Sequence, residues 1–280
     1  MLRITSLCDN VIEHKKCMAM EGASFLIEIN NTKIIFDVGR SCDLLLHNLS
    51  IMGFDLNDID YIILSHGHKG HIGAIEKLAT QTALNTTIIF HEKIIVPKFK
   101  CLFNGDSTNY KPVGNKVIID SLQNENIKKA NSSFKICEGV FIISDTPVIS
   151  KRFTSFSDRY RIFNQGYIVD EFAEELSLAI VIERGLIIVS ACSHRGIDNI
   201  VSNSKLVTNI EFVYGIIGGV HTKDDIKKTS ELIEYLKELN CDFVAPCHCT
   251  GIFSKSKIKE SMDKQYCDFS TGKTLDLIGG

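Results

Sequence analysis

The segment Ser65-His66-Gly67-His68-Lys69-Gly70-His71 places three histidines within six residues. It closes the β-rich run from Asp60 to Ser65 and opens a helical stretch predicted from Gly73 to about Leu84. A turn between strand and helix lets neighbouring side chains point the same way, and imidazole is the usual ligand for zinc, iron, manganese or nickel. A lone histidine would more simply be an exposed or satisfied side chain; this spacing points to metal. Further along, His194, His221 and His248 each follow a predicted strand in three successive strand-helix units. Open α/β sheets gather ligands at the carboxyl ends of their strands, so these three are expected to converge. Gly218-Gly219 before His221 and Gly251 after His248 leave room for the backbone to approach an ion or substrate.

The rest of the chain supplies the frame. Ala23 to Ile29 and Lys33 to Phe36 read as a hairpin turned at Asn30-Asn31, and Asp37 ends the second strand, where functional side chains often sit. A helix is expected over Cys42 to Met52. The last third alternates: strands at Leu186 to Ala191, Phe212 to Ile217 and Phe243 to Ala245, helices at Gly196 to Leu206 and Asp224 to Leu239. In the second helix Ile226, Leu232, Ile233, Leu236 and Leu239 share an apolar face, and an Asp opens its first turn. Alternating units of this kind imply a sheet covered by helices. Two polar, irregular stretches are expected as pocket loops: 98–116, with turn signals at Asn104-Gly105, Asn109 and Gly114, and 150–165, where Lys151, Arg152, Arg159 and Arg161 interleave with Phe153, Phe156, Tyr160 and Phe163. No composition shift marks a linker, so one domain is expected over 1–280.

With 44% hydrophobic and 23% charged residues, the 280-residue chain has the balance of a globular protein with a sizeable core. A net charge of -3 gives no basic field for a phosphate backbone, so nucleic acid is not an expected partner. Met1 to Asp9 lacks the apolar core of a signal peptide, and no apolar run approaches the roughly 18 residues needed to cross a bilayer. A cytoplasmic protein with reduced thiols, off the membrane and with homo-oligomerisation open, is the expectation. Cys192, Cys247 and Cys249 flank the histidines; they read either as zinc-ligating thiolates or as buried free thiols, with no Cys-x-x-Cys pair to mark a structural zinc site.

The motifs Ile35-Phe36-Asp37-Val38-Gly39, Leu64-Ser65-His66-Gly67-His68-Lys69-Gly70-His71-Ile72-Gly73, Ala191-Cys192-Ser193-His194-Arg195-Gly196-Ile197, Gly218-Gly219-Val220-His221 and His248-Cys249-Thr250-Gly251 occur in order over nearly the whole chain. The set resembles that of metallo-β-lactamase-fold proteins, and within them the subgroup that includes the archaeal dihydropterin-methyl-(ribofuranosyl)aminobenzene-phosphate synthases. The resemblance implies an α/β fold, an αββα sandwich of two mixed sheets face to face with helices outside, and a site for one or two divalent ions, zinc first, with iron or manganese as alternatives. By similarity His66 and His68 serve one ion and His71 with His248 the second, with His194 a further ligand. His221 is implied as a ligand, proton donor or substrate contact, and Asp37 as the carboxylate that orients a ligating histidine. Arg152, Thr250 and Gly251 are the expected substrate contacts. One residue departs from the pattern: the superfamily motif is His-x-His-x-Asp-His, and Gly70 stands where that aspartate belongs.

Three readings follow. The first is a metal-dependent hydrolase of a small anionic, phosphorylated substrate, using metal-activated water. The second is a synthase-like transferase that displaces diphosphate. The third is a binding or sensor protein weakened in catalysis by Gly70. A nuclease is disfavoured for want of a basic surface signature.

Overall fold

The computed structural model describes residues 1–83, 85–104, 107–114, 126–164 and 166–277. The expected helix end at Leu84, the turn glycine Gly105, and the loop ends Lys116 and Gln165 lie outside the described residues. The chain runs β1 (Leu2–Cys8), β2 (Ser24–Ile29), β3 (Thr32–Phe36), α1 (Cys42–Ile51), β4 (Tyr61–Leu64), α2 (Lys69–Ile72), α3 (Ile75–Ala79), β5 (Thr87–Phe90), β6 (Lys98–Asn104) and β7 (Ser107–Pro112). It continues through β8 (Ile127–Lys129), β9 (Phe134–Cys137), β10 (Val140–Ile143), β11 (Arg159–Phe163), β12 (Gly166–Val169), β13 (Ser177–Ile182) and β14 (Gly185–Ser190). The closing units are α4 (Ile197–Thr208), β15 (Val213–Gly218), α5 (Ile226–Leu239), β16 (Phe243–Pro246), α6 (Ile252–Ser261) and β17 (Thr274–Asp276).

Two large mixed sheets carry the architecture, ordered β17-β1-β2-β3-β4-β5-β8 and β16-β15-β14-β13-β10-β9. Their strands are apolar on both faces because each sheet is covered twice. Leu2, Ile4, Phe25, Ile27, Phe36 and Ile63 of the first sheet pack directly against Val140, Leu178, Ile180, Ile187, Val189 and Ile217 of the second. The outer face of the first sheet buries Leu26, Ile35, Ile62 and Ile88 under α1 and α3, and that of the second buries Ala179, Leu186, Ile188 and Val244 under α4, α5 and α6. The αββα sandwich expected from the motifs is the fold observed.

The hairpin β2–β3 turns at Asn30, which takes the left-handed conformation at φ 54°. In α5, Leu232 and Leu236 are buried, whereas Ile226, expected on the apolar face, is exposed at the first turn. Asp225 caps this helix by accepting the Lys228 amide.

The expected loops 98–116 and 150–165 are corrected in part. β6 and β7 form a hairpin, and β11 and β12 join it in a third, four-stranded sheet ordered β12-β11-β6-β7. Four of its aromatic residues, Phe99, Tyr110, Tyr160 and Tyr167, pack on one another, Tyr110 on Tyr167 with ring centres 3.9 Å apart. The sheet is pinned at its base by Lys98, whose buried ammonium lies 2.7 Å from Asp170 Oδ2 and 2.6 Å from Glu174 Oε1. Among the described residues no helix is long and apolar enough to cross a membrane.

Candidate metal centre

The strand ends of the two large sheets meet at one edge of the sandwich, and the histidines collect there. Asp37, directly after β3, is buried at φ 60°. His221 (φ 49°), His248 (φ 47°) and Ser193 (φ 57°) are also non-glycine residues in the left-handed region. Such backbone costs on the order of 1–3 kcal/mol per residue and persists where surrounding contacts fix it, typically at functional sites.

The hydrogen bonds fix where the imidazole protons sit. Asp37 Oδ1 accepts the Ser65 amide at 2.7 Å and Oδ2 accepts the Ser65 hydroxyl at 2.6 Å. The same Oδ2 lies 2.6 Å from His71 Nδ1. A carboxylate only accepts, so His71 carries its proton on Nδ1 and turns the lone pair of Nε2 into the site. Having donated its one proton to Asp37, Ser65 Oγ must accept from His66 Nδ1 at 2.8 Å, which leaves the lone pair on His66 Nε2. Asn10 Oδ1 accepts the Gly22 amide and lies 2.9 Å from His248 Nδ1, so His248 also keeps its Nε2 lone pair free.

The free lone pairs converge. His71 Nε2 and His248 Nε2 face each other at 3.1 Å, and His66 Nε2 lies 3.0 Å from His68 Nδ1. His194 is fully buried with both ring nitrogens unpartnered, and so are those of His221; the His194 ring stands 4.9 Å from His66, 5.0 Å from His68 and 4.3 Å from His221. Burial, followed by the repulsion of neighbouring cationic groups, holds His66, His68, His194, His221 and His248 well below the ordinary imidazole pKa. They are neutral, the form that binds metal. Two opposed lone pairs 3.1 Å apart are mutually repulsive unless a cation lies between them, and buried unpartnered imidazole nitrogens are costly. The donor set therefore fits divalent metal. Three-residue groups within ligand reach of one another include His66, Cys192 and His194; His71, Cys192 and His248; and Asp37, His66 and His71.

Thus His66, His68 and His194 form one set and His71 with His248 a second, with Asp37 behind His71. Gly70 faces the segment 21–22: a Cβ built on it would stand 3.2 Å from Gly22 Cα, and one on Gly22, itself at φ 142°, only 2.1 Å from Gly70 O. Backbone of the 21–22 segment thus crowds the position from which the motif aspartate would extend.

Arg152, Thr250 and Gly251, the expected substrate contacts, stand outside the lining of the cavity beside the histidines. Arg152 donates to the Glu231 carbonyl at 3.0 Å and stacks over Phe153, on the surface of α5 and away from the histidines. Thr250 is buried, its hydroxyl accepting the Val220 amide and its carbonyl accepting the Thr222 hydroxyl. Gly251, at φ 91°, is fitted against the Asp224 carboxyl at the start of α6. All three build the loops rather than line the cavity. That cavity, of about 390 Å³, opens beside His68, His71, His221 and His248 and is ringed by Arg40, Lys69, Lys100, Lys111, Arg159 and Lys223. Arg159 is nearly buried, pairs with Asp158 at 2.5 Å, and keeps an unpartnered Nε. Arg40 is paired with Glu21. The 150–165 stretch does wall the pocket, but through Arg159; Arg152 and Arg159 share the same basic, aromatic context, and nothing local in the sequence separates them.

Behind the ligands, Phe172 lies flat on His194 with ring centres 3.8 Å apart. Glu175, buried, accepts the amides of His194 at 2.7 Å and Arg195 at 2.8 Å, and burial raises its pKa to about 7. Neither residue stands out in the sequence, since neither belongs to a motif.

The layered arrangement is the metallo-β-lactamase fold, and residues 19–118 match the family model of the metallo-beta-lactamase superfamily. Among its relatives is the 7,8-dihydropterin-6-methyl-4-(beta-D-ribofuranosyl)-aminobenzene-5'-phosphate synthase of Methanocaldococcus jannaschii, 29% identical over 272 residues, 92% of this chain and 90% of that protein. An uncharacterized protein of the same archaeon is 27% identical over 280 residues, covering 99% of each chain. The crystal structure of Tm1679, a metal-dependent hydrolase of the beta-lactamase superfamily, superposes with a TM-score of 0.81 at 24% identity over 99% of both chains.

Proposed function

We propose that the protein is a metal-dependent hydrolase acting on a small, phosphate-bearing substrate. The observation that carries this reading is the union, in one cavity, of the converging imidazole lone pairs with a rim of five lysine and arginine side chains besides the Glu21-paired Arg40. Neutral imidazoles with a thiol among them suit zinc first, iron or manganese next, with one ion for each histidine set. Bound there, the ion supplies a Lewis acid and lowers the pKa of water toward about 7.

The chain's own residues do the rest. Asp37 holds His71 in its ligating tautomer and, through Ser65, holds His66. Arg159 and Lys223, which line the same cavity as the histidines, meet the substrate's negative charge. His221, neutral, offers one N–H and one lone pair to the reacting group, so it can hold or pass a proton to a leaving oxygen. Phe172 keeps water from the rear of the site by covering His194.

The synthase among the relatives favours a second reading, transfer onto an acceptor with loss of diphosphate. Metal-loaded protein incubated with phosphate mono- and diesters, and separately with an alcohol diphosphate plus an arylamine, separates the two. Hydrolysis without acceptor supports the first; diphosphate release that requires the amine supports the second; neither, with metal bound, favours a sensor. Under the hydrolase reading Arg159→Ala raises KM about tenfold or more, the worth of a charge-assisted hydrogen bond, with a smaller change in kcat.

A further inference from the structure

We infer that Cys192 is a metal ligand whose sulfur is shared by the two histidine sets. The inference rests on the metal reading above and adds a residue to it.

The placement is specific. Cys192 Sγ lies 3.3 Å from His71 Nε2 and within ligand reach of His66 and His194 on one side and of His248 on the other; this buried sulfur thus joins groups that are otherwise separate. In a tetrahedral site with metal–sulfur near 2.3 Å and metal–nitrogen near 2.0 to 2.1 Å, a sulfur and a nitrogen ligand stand about 3.5 Å apart. The observed separation is close to that edge.

The loop that carries the thiol is built to hold it. Ser193 is held in the left-handed conformation by its hydroxyl, which lies 2.9 Å from Ser190 Oγ and donates to the Gly219 carbonyl at 2.8 Å. The Glu175 carboxylate clamps the next two amides. Fully buried His194, with both nitrogens unpartnered, points into the same space from two residues away.

Charge makes the same demand. Neutral imidazoles bring no negative charge to a divalent ion, and the carboxylates near the site already hold other groups. Asp37 is taken by Ser65 and His71, Asp9 accepts the His248 amide at 2.7 Å, and Glu21 pairs with Arg40. Gly70 brings none. A thiolate supplies the missing anion, with the thiol proton released to solvent as the ion binds.

The test is the electronic spectrum of the protein stripped by a chelator and reloaded with cobalt(II). Wild type is expected to show a near-ultraviolet thiolate-to-cobalt charge-transfer band beside the visible d–d bands. Cys192→Ser loses the charge-transfer band, and Cys192→Asp, which restores an anionic ligand, binds cobalt without it. Cys137→Ser, altered on β9 far from the site, keeps it. Cobalt bound to wild type with no sulfur band, or a band that survives Cys192→Asp or disappears in Cys249→Ser alone, overturns the assignment while leaving the histidine site intact. No cobalt bound to wild type removes the metal reading itself.

Discussion

At the scale of single residues the site is a problem of proton placement. Three imidazoles, His66, His71 and His248, turn their Nε2 lone pairs to one small volume because partners behind them hold the opposite nitrogens, and Asp37 governs two of them, His71 directly and His66 through Ser65. Asp37→Asn keeps the shape but can turn an N–H toward His71 or Ser65. It is expected to weaken metal binding about 10–100-fold, the usual cost of losing a ligand's hydrogen-bonded support, measured by competition with a chromophoric chelator. The histidines themselves were legible from the sequence because three of them crowd one turn and three more follow strands. Asn10, which fixes the His248 tautomer, was not, since it reaches His248 across 238 positions and stands in a segment with no periodic pattern.

Among elements, the small sheet β12-β11-β6-β7 is what converts a metal edge into a pocket, and its attachment rests on a buried ion triad. Lys98 begins β6, while Asp170 and Glu174 precede β13; all three are almost fully buried. Lys98→Met strands two carboxylates without their cation and is expected to destabilise the protein by about 3–5 kcal/mol, read from urea denaturation of metal-loaded samples; the triple replacement by apolar residues should restore much of that loss. The alternation of strand and helix in the last third was readable because those strands are buried on both faces and spell continuous apolar runs. β6, β7, β11 and β12 were not, because a small, half-exposed sheet that packs its aromatics on one another needs little apolar patterning. For the same reason the basic residue facing the cavity, Arg159, could not be told from Arg152.

Across the whole molecule, the two large sheets bring segments from residues 9 to 249 onto one edge, and the folded chain there keeps imidazoles neutral at acidic pH, where solvent-exposed ones would be protonated. Their folded-state pKa values lie below the ordinary 6.5. Below about pH 6.5 the unfolded chain therefore binds more protons than the folded one, so stability is fully present above that pH and is lost as pH falls. Metal-stripped protein is expected to show a melting temperature that is steady from pH 8 to 7 and drops through pH 6 and 5. The same drop should shrink when His194 and His221 are replaced by apolar residues. The fold and the histidine set were thus legible in the sequence, which also marked Cys192, Cys247 and Cys249 as thiols flanking the histidines, whereas the cavity's charge and the choice among those thiols depended on contacts that only the assembled sandwich creates. The most direct test of the account is elemental analysis of metal per chain, on protein purified without added metal and again after zinc, iron or manganese is supplied, for wild type and for the double variant His66→Ala, His68→Ala. The account predicts one to two divalent ions on the wild type and a clear fall in the variant; wild type that binds none even when supplied, or a folded variant that binds as much, contradicts it.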